Sequence, residues 1–137
     1  MTTLLTKYHG IVSYQEGLQL QREAHKSVSE KGADRLILLQ HPHVYTLGRR
    51  GKNEDILTDS TKLAKIGAEV HHTDRGGEVT YHGPGQLVGY PIINLRRANN
   101  LGPLAYVNNL EKSISTLLDE LGILEEMRWI KTSMGFF

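Results

Sequence analysis

The chain has 137 residues, of which 39% are hydrophobic and 23% charged, a composition typical of one ordinary globular domain. Its formal net charge of +1 excludes the strongly basic surface of nucleic-acid and membrane-surface proteins, so we expect neither partner. The absence of cysteine excludes a disulfide framework, a cysteine metal site and a cysteine nucleophile within these residues.

The first quarter of the chain predicts a strand followed by an amphipathic helix. The segment "LLTKYHGIVSY" mixes β-branched and aromatic residues, which favours a strand that begins near Leu4. Between Tyr14 and Lys31, apolar or small residues recur every three or four positions and so share one helical face: Gly17, Leu20, Ala24 and Val28. Gly32 then predicts the end of this helix.

The next segment predicts a buried strand, a second strand and a polar loop. Leu36 to Leu39 form a short continuous apolar run, which is typical of a buried strand. "HVYTLG", after Pro42, predicts the continuation of that strand or its pairing partner. "GRRGKNEDIL", from Gly48, is polar and bracketed by glycines, and it predicts a loop.

A short helix and three strands are expected in the middle of the chain. Ser60 is predicted to cap a helix that runs through Ile66 and ends at Gly67. "AEVHHTD" alternates weakly and predicts a strand. "GEVTYHG" and "QLVGYPIINL" are stronger strand candidates, and the turn-forming "GPG" between them predicts a hairpin.

The last strongly patterned segment is a helix that begins at Pro103, a residue favoured at the first helical position. Apolar residues follow at three- and four-residue spacing, namely Leu104, Val107, Leu110, Ile114, Leu117, Leu118 and Leu121. Gly122 predicts its end. The mixed order of strands and helices predicts the α+β class. Residues 124–137 show no clear period and end on two phenylalanines, so we interpret them as an atypical tail.

The segment "RGGEVTYHGPGQ" is the strongest candidate for chemistry. Gly76 and Gly77 remove two successive side chains, so backbone N–H groups there are free to approach a ligand closely. Arg75 adds a fixed cation, and strand alternation places Thr80 and His82 on one face. Taken singly, the two glycine turns are ordinary hairpin features, and a lone histidine is usually a satisfied structural residue. A hairpin alone does not require all these residue types at these offsets.

No common nucleotide motif fits this segment. It has no Gly-Lys-Ser/Thr of a phosphate loop, and no predicted helix opens after its glycines. Instead "RGGEVTYHGPGQLVGYPIINL" resembles the signature of the lipoyl(octanoyl) transferases. "HPHVYTLGRRG" and "LGPLAYVNNLEKSISTLLDELGI" resemble that family's upstream strand and loop and its following helix. The resemblance extends from about Leu4 to Ile123.

The resemblance implies a biotin/lipoate ligase-like domain, built on a mixed sheet with flanking helices. It implies transfer of an octanoyl group from octanoyl-acyl carrier protein to a lysine of lipoyl domains, through a thioester on a cysteine assisted by a lysine. The implied acceptors are the lipoyl domains of 2-oxoacid dehydrogenases and the glycine cleavage H protein. No cofactor is implied. The implied substrate-binding residues are Arg75, Gly76, Gly77, Glu78, Val79, Thr80, Tyr81 and His82. His43 and Tyr90 are expected as pocket neighbours, and Glu78 fills a position that the family varies.

The chain departs from the family pattern at the catalytic pair. It has no cysteine, and Lys131 in "KTSMG" only loosely resembles the family lysine, so we expect no catalytic residue in this chain. We therefore predict that residues 1–123 are the N-terminal part of the transferase domain, C-terminally truncated and inactive alone. Residues 124–137 would reflect a truncation or frameshift; an alternative gene product and a second polypeptide that carries the missing half remain open.

Two other functions remain open. One is a non-catalytic fragment that binds the acyl group or the lipoyl domain. The other is a subunit similar to an ATP-using lipoate-protein ligase, although the triple-glycine core of that family is absent. Arg49, Arg50 and Lys52 form a basic loop that fits the acidic acyl carrier protein. We expect no metal site, since alternation faces His71 and His72 opposite ways, and we expect a cytoplasmic protein.

Overall fold

The computed structural model describes residues 3–98 and 100–123, and it divides the chain into two units, Met1–Ile93 and Asn94–Phe137. The described elements of the first unit are β1 (Leu4–Ile11), α1 (Tyr14–Ser29), β2 (Asp34–Gln40), β3 (Val44–Leu47), α2 (Ser60–Lys65), β4 (Glu69–His72), β5 (Val79–His82) and β6 (Val88–Ile92). A single 3-10 turn, Asn53–Asp55, interrupts the loop predicted from Gly48.

The six strands form two mixed sheets of three strands each, and this confirms the α+β class. In the first sheet β2 is central, parallel to β1 and antiparallel to β6. In the second sheet β3 is central, parallel to β4 and antiparallel to β5. The predicted mixed sheet is therefore present as two smaller sheets within one unit.

The prediction that β5 and β6 form a hairpin is wrong. β5 pairs with β3, with Thr46 opposite Thr80, whereas β6 pairs with β2, with Leu39 opposite Val88. The prediction that β3 continues or pairs with β2 is wrong for the same reason, since the two strands lie in different sheets. Residues 41–43 and 83–87 are thus two crossings between the same two sheets. Side-chain burial decides the pairing, because the buried Val88 packs with the apolar residues of β2.

The core of the first sheet lies between its strands and α1. Ile37, Leu39 and Val88 are buried there, and half-buried residues pack around them: Val12, Leu20, Ala24, Tyr90 and Ile92. The predicted apolar face of α1 is confirmed, since Gly17 and Val28 are buried. In the second sheet, the central strand β3 supplies the most buried side chains. Both central strands are therefore shielded from water, and their ends are rigid places from which to present a site.

Two helix ends differ from the sequence prediction. Helix α1 begins with a capping box of Ser13 and Glu16, and it ends at Ser29, before the predicted Lys31. Lys31 itself adopts the left-handed conformation with φ of 70°. Position 32 favours glycine because its N–H donates to the carbonyl of Ser27 at 2.8 Å. A Cβ on residue 32 would lie only 2.6 Å from that carbonyl oxygen.

Helix α2 is capped one residue earlier than predicted. The Asp59 carboxylate accepts a hydrogen bond from the N–H of Lys62 at 2.9 Å, so Ser60 is the first helical residue and not the cap. A carboxylate at this position also interacts favourably with the helix dipole. The predicted strand around "AEVHHTD" is confirmed as β4.

The second unit contains α3 (Pro103–Glu120), which confirms the predicted helix. Pro103 follows Gly102 at the N-cap, and Gly122 adopts a φ of 73° just beyond the last turn. The predicted tail at 124–137, with Lys131, lies outside the described residues. None of the helices in the described ranges has the length and apolar character needed to cross a membrane.

Candidate functional site

The loop between β4 and β5 is held by its carbonyl groups. Successive N–H groups of residues 48–50 donate to the carbonyl oxygens of Glu78, Arg75 and Gly77, at 2.7, 3.0 and 3.1 Å. Three of the loop's carbonyls therefore face the segment that follows β3. This pattern fixes the orientation of the peptide planes in the loop, because each plane turns as a unit.

Arg75 fastens the same loop from inside. Its Nη1 donates to the carbonyl of Gly76 at 2.8 Å, and its Nη2 donates to the carbonyls of Thr46 and Glu78 at 2.7 and 3.1 Å. Nε and Nη2 also reach the Thr46 hydroxyl, at 3.3 and 3.0 Å. Arg75 takes part in neither of the two ion pairs found among residues 3–98 and 100–123, and its direct hydrogen-bond partners are neutral oxygens. The adjacent Asp74 lines the same cavity and acts on Tyr14 with the opposite sign to Arg75.

The N–H groups of this loop point away from the partners of its carbonyl groups. In a trans peptide the N–H of one residue is antiparallel to the carbonyl of the residue before it, and no cis peptide occurs in the described part of the chain. The carbonyls of Arg75, Gly76 and Gly77 are all engaged, so the N–H groups of Gly76, Gly77 and Glu78 point away from those partners. None of the three donates to an acceptor within the described residues. We call these three groups the N–H cradle.

Gly48 makes this arrangement sterically possible. A Cβ placed on Gly48 would lie 2.6 Å from the carbonyl oxygen of Gly77 and 2.7 Å from that of Gly76. Real side chains do not approach a backbone oxygen so closely. The absence of a side chain at this position therefore allows the chain after β3 to lie against the loop, and it explains one of the glycines that bracket "GRRGKNEDIL".

A cavity of about 430 Å³ lies beside Arg75, a volume within the range of small-molecule sites. Its lining comes from α1, from the end of β4 and the loop after it, and from β6: Tyr14, Leu18, Gln21, His72, Thr73, Asp74, Arg75 and Tyr90. The predicted neighbour Tyr90 thus shares a cavity with Arg75. A second cavity of about 470 Å³, between β1, α1 and β2, is lined by none of the predicted site residues.

Two tyrosines of the first cavity are held in their neutral form. Burial raises the pKa of Tyr14, the nearby Arg75 charge lowers it, and the Asp74 carboxylate raises it. Burial raises the pKa of Tyr90 to about 12. Both hydroxyls therefore remain hydrogen-bond donors at neutral pH, and the cavity wall carries no negative charge from them.

His41, in the crossing that follows β2, is held by two hydrogen bonds to residues on the side of the first sheet, Val12 after β1 and Tyr90 in β6. Its side chain is completely buried, and its Nδ1 lies 2.9 Å from the carbonyl oxygen of Val12, so Nδ1 carries the proton. Its Nε2 therefore accepts from the Tyr90 hydroxyl, at 3.0 Å. Burial lowers the pKa of His41, the Val12 carbonyl raises it, and proximity to His82 lowers it further. His41 is thus a neutral ring of defined tautomer.

His82 and Tyr81 leave β5 on opposite faces. The His82 ring lies 5.8 Å from the His41 ring, centroid to centroid, and its Nδ1 is 2.6 Å from Oε1 of Gln86. The Tyr81 hydroxyl is 2.6 Å from Nδ1 of His43, and the two rings stack. The two predicted residues Tyr81 and His82 therefore belong to different side-chain clusters.

The predicted site residues fall into two adjoining groups. Residues 75–78 form the Arg75 loop with the N–H cradle, and residues 79–82 form the whole of β5. The Thr46 hydroxyl donates to the carbonyl of Thr80 at 3.5 Å. His43 lies with Tyr81, whereas the other expected neighbour, Tyr90, lies with Arg75 and His41.

Sequence reasoning missed Thr46, His41 and Gln86. Thr46 holds Arg75, but a threonine inside an apolar strand carries no distinctive signal. His41 follows the apolar run of β2, and its position at the end of a buried strand was the available signal. Gln86 lies inside the quoted motif, four residues after His82, but the sequence alone did not show that its side chain turns back.

The remaining polar clusters are simpler. His71 pairs with Glu69 at 2.7 Å and is also 3.5 Å from Gln15, and no group of three potential metal ligands occurs in the described ranges. In the basic loop, Arg49 donates to the carbonyl of Asp74, while Arg50 and Lys52 are exposed. Docking of acyl carrier protein on this loop stays a prediction.

Comparison with known proteins extends the resemblance. The family model described as "Lipoyl protein ligase A/B catalytic domain" matches residues 13–129. An octanoyltransferase of Myxococcus xanthus is 44% identical over 124 residues, which are 90% of this chain and 34% of that protein. An octanoyltransferase of Bacteroides fragilis is 42% identical over 130 residues, 90% of this chain and 58% of the relative.

A shorter and more similar match involves an octanoyltransferase of Caldicellulosiruptor saccharolyticus. It is 53% identical over 89 residues, which are 64% of this chain and 38% of that protein. In these three comparisons, the aligned region spans between about a third and three-fifths of the length of the curated relatives.

Proposed function

Because the chain belongs to the lipoyl protein ligase A/B catalytic domain family, we propose that it supplies the acyl-binding part of an octanoyltransferase. The reaction would move an octanoyl group from octanoyl-acyl carrier protein to a lysine of a lipoyl domain. The observation that carries this proposal is the N–H cradle beside the half-buried guanidinium of Arg75. Acyl transfer passes through a tetrahedral oxyanion, which such donors stabilise.

The chemistry of the site agrees with a neutral acyl thioester as the ligand. The carbonyl oxygen of a thioester accepts hydrogen bonds, and the cradle offers three backbone donors. The adjacent cavity combines the apolar side chain of Leu18 and the rings of two neutral tyrosines with polar residues around Arg75. Each methylene of an acyl chain that becomes buried against these apolar surfaces would gain about 0.8 kcal/mol.

We propose that residues 1–123 contribute this acyl-binding part and that the 137 residues alone complete no transfer. They contain no cysteine, so within them no thiol is present to carry an acyl-enzyme thioester. The interpretation of 124–137 as a truncation or frameshift, the cytoplasmic location, and the named lipoyl-domain acceptors stay predictions.

Calorimetric titration of the purified chain tests the binding half of the proposal. We expect heat on addition of octanoyl-acyl carrier protein, and a much weaker response to carrier protein without an acyl group. Arg75→Met should abolish the difference, whereas Arg22→Met, the same change on an exposed face of α1, should preserve it. Equal responses to acylated and unacylated carrier would contradict an acyl site.

Two further measurements separate the alternatives. Mass spectrometry of a lipoyl domain incubated with the chain and octanoyl-acyl carrier protein should show no added octanoyl group, and detectable turnover would overturn the argument from the missing thiol. Titration with lipoyl-adenylate should give no heat. Binding of that adenylate would instead favour the lipoate ligase alternative.

A further inference from the structure

The turn of residues 83–86 holds the Gln86 side chain in a defined place. The N–H of Gln86 donates to the carbonyl of Gly83 at 3.1 Å, and Gly85 adopts a φ of 89°, which favours glycine. The N–H of Gly85 donates to Oε1 of Gln40 at 2.7 Å, and Gln40 in turn donates to the Tyr8 hydroxyl at 3.0 Å. The turn is therefore tied to the first sheet.

His82 is held from two sides. Its ring packs against the buried ring of His41, whose two nitrogens are both engaged by Val12 and Tyr90. Its Nδ1 lies 2.6 Å from Oε1 of Gln86. An amide oxygen only accepts hydrogen bonds, so Nδ1 of His82 carries the ring proton. In the neutral ring, Nε2 is then an unprotonated acceptor, and it makes no hydrogen bond to another described residue.

We propose that Gln86 is a positioning residue that fixes the tautomer of His82, so that Nε2 accepts a hydrogen bond from the amine of the incoming lysine. This inference rests on the proposed function. A thioester carbonyl has no proton to donate, so a neutral His82 in this tautomer does not match it through Nε2. The amine is a proton-bearing reactant: its nitrogen bonds to the acyl carbon, the carbon–sulfur bond breaks, and one amine proton ends on the departing thiol.

Nuclear magnetic resonance of the ¹⁵N-labelled chain tests the tautomer directly. Protonated and unprotonated ring nitrogens of histidine have widely separated ¹⁵N shifts, and His82→Asn assigns the signal. At a pH well above the ordinary histidine pKa of about 6.5, we expect protonated Nδ1 and unprotonated Nε2. The opposite pattern in the unsubstituted chain overturns the proposal without the need for any variant.

Substitutions of the exposed Gln86 test its role. Gln86→Leu should reduce the ratio of the Nδ1–H to the Nε2–H tautomer by about tenfold, the effect of losing one hydrogen bond. Gln86→Glu keeps an acceptor and should retain the tautomer. Gln19→Leu, an exposed glutamine on α1 that bonds Glu23, is the matched control and should change nothing. An unchanged ratio in Gln86→Leu contradicts the positioning role.

The lysine contact has its own measurement. A lipoyl domain with its acceptor lysine should move the Nε2 signal of His82, whereas a domain with methionine in place of that lysine should not. Equal responses to the two domains, or none, would overturn the lysine contact. The tautomer measurement needs no ligand. Failure of acyl binding would therefore contradict the proposed function without changing the result for the tautomer of His82.

Discussion

Replacement of Gly48 by alanine should disrupt the loop that forms the N–H cradle. The added Cβ would lie 2.6 Å from the carbonyl oxygen of Gly77, whereas ordinary contact begins at 3.4 Å. The obstacle is the backbone of the loop between β4 and β5, so there is no flexible side chain that can move aside. The loop must therefore move by about 0.8 Å relative to β3, which is enough to break hydrogen bonds.

The magnitude follows from two contributions. Overpacking in a well-packed site costs about 1–3 kcal/mol. Weakening of the hydrogen bonds from residues 48 and 50 to Glu78 and Gly77 costs about 1 kcal/mol more. We therefore expect Gly48→Ala to lower the free energy of unfolding by about 2–4 kcal/mol. Affinity for octanoyl-acyl carrier protein should fall about tenfold or more, since the cradle donors are displaced.

Urea unfolding followed by circular dichroism measures the stability loss, and calorimetry measures the affinity. Gly89→Ala is the matched control, because a Cβ there meets only Leu38 and Leu36 side chains at ordinary distances of 3.6 and 3.9 Å. Alanine in the β6 strand should be neutral or slightly stabilising, by up to about 1 kcal/mol. A Gly48→Ala chain as stable as the Gly89→Ala chain would refute the steric argument.

Three further outcomes are expected. Tyr90→Phe should cost about 1–3 kcal/mol in urea unfolding because it leaves Nε2 of the buried His41 unpaired, while Tyr8→Phe, at an exposed hydroxyl, should cost less than about 1 kcal/mol. Burial lowers the pKa of His41, so the unfolded chain binds the proton more readily than the folded chain. The free energy of unfolding, measured across pH, should therefore fall as the pH drops below about 6.5. This fall should be smaller in His41→Phe. Arg75→Lys should retain the charge but lose the fork of hydrogen bonds. Amide hydrogen exchange in residues 48–50, whose N–H groups donate to the loop carbonyls, should therefore accelerate relative to Arg22→Lys, and equal rates would contradict the role of Arg75.

The Arg75 loop and His82 lie at opposite ends of β5. The loop before β5 and the turn after it both border the end of β3 or the crossing at residues 41–43. Arg75 binds backbone oxygens and so shapes the loop, and its charge remains without a carboxylate partner in the part of the chain that the structure describes. Arg75 therefore holds the loop that carries the N–H cradle.

Local sequence signals determined the helices, most strands and the segment that forms the candidate site. Pro103 and the apolar spacing after it predicted α3, and "RGGEVTYHGPGQ" contained every residue from Arg75 to Gln86. These features depend on residues close in sequence, such as caps, turn glycines and the helical period. For that reason they can be predicted from the chain alone.

Only the tertiary structure decided which strands pair and where the polar groups point. The "GPG" turn favours a hairpin locally, but burial of Val88 against β2 places β6 in the other sheet from β5. Likewise, the partners of Arg75 and His41 lie 29 residues away in sequence, at Thr46 and Val12. Such contacts are set by packing between distant segments, and no local pattern encodes them.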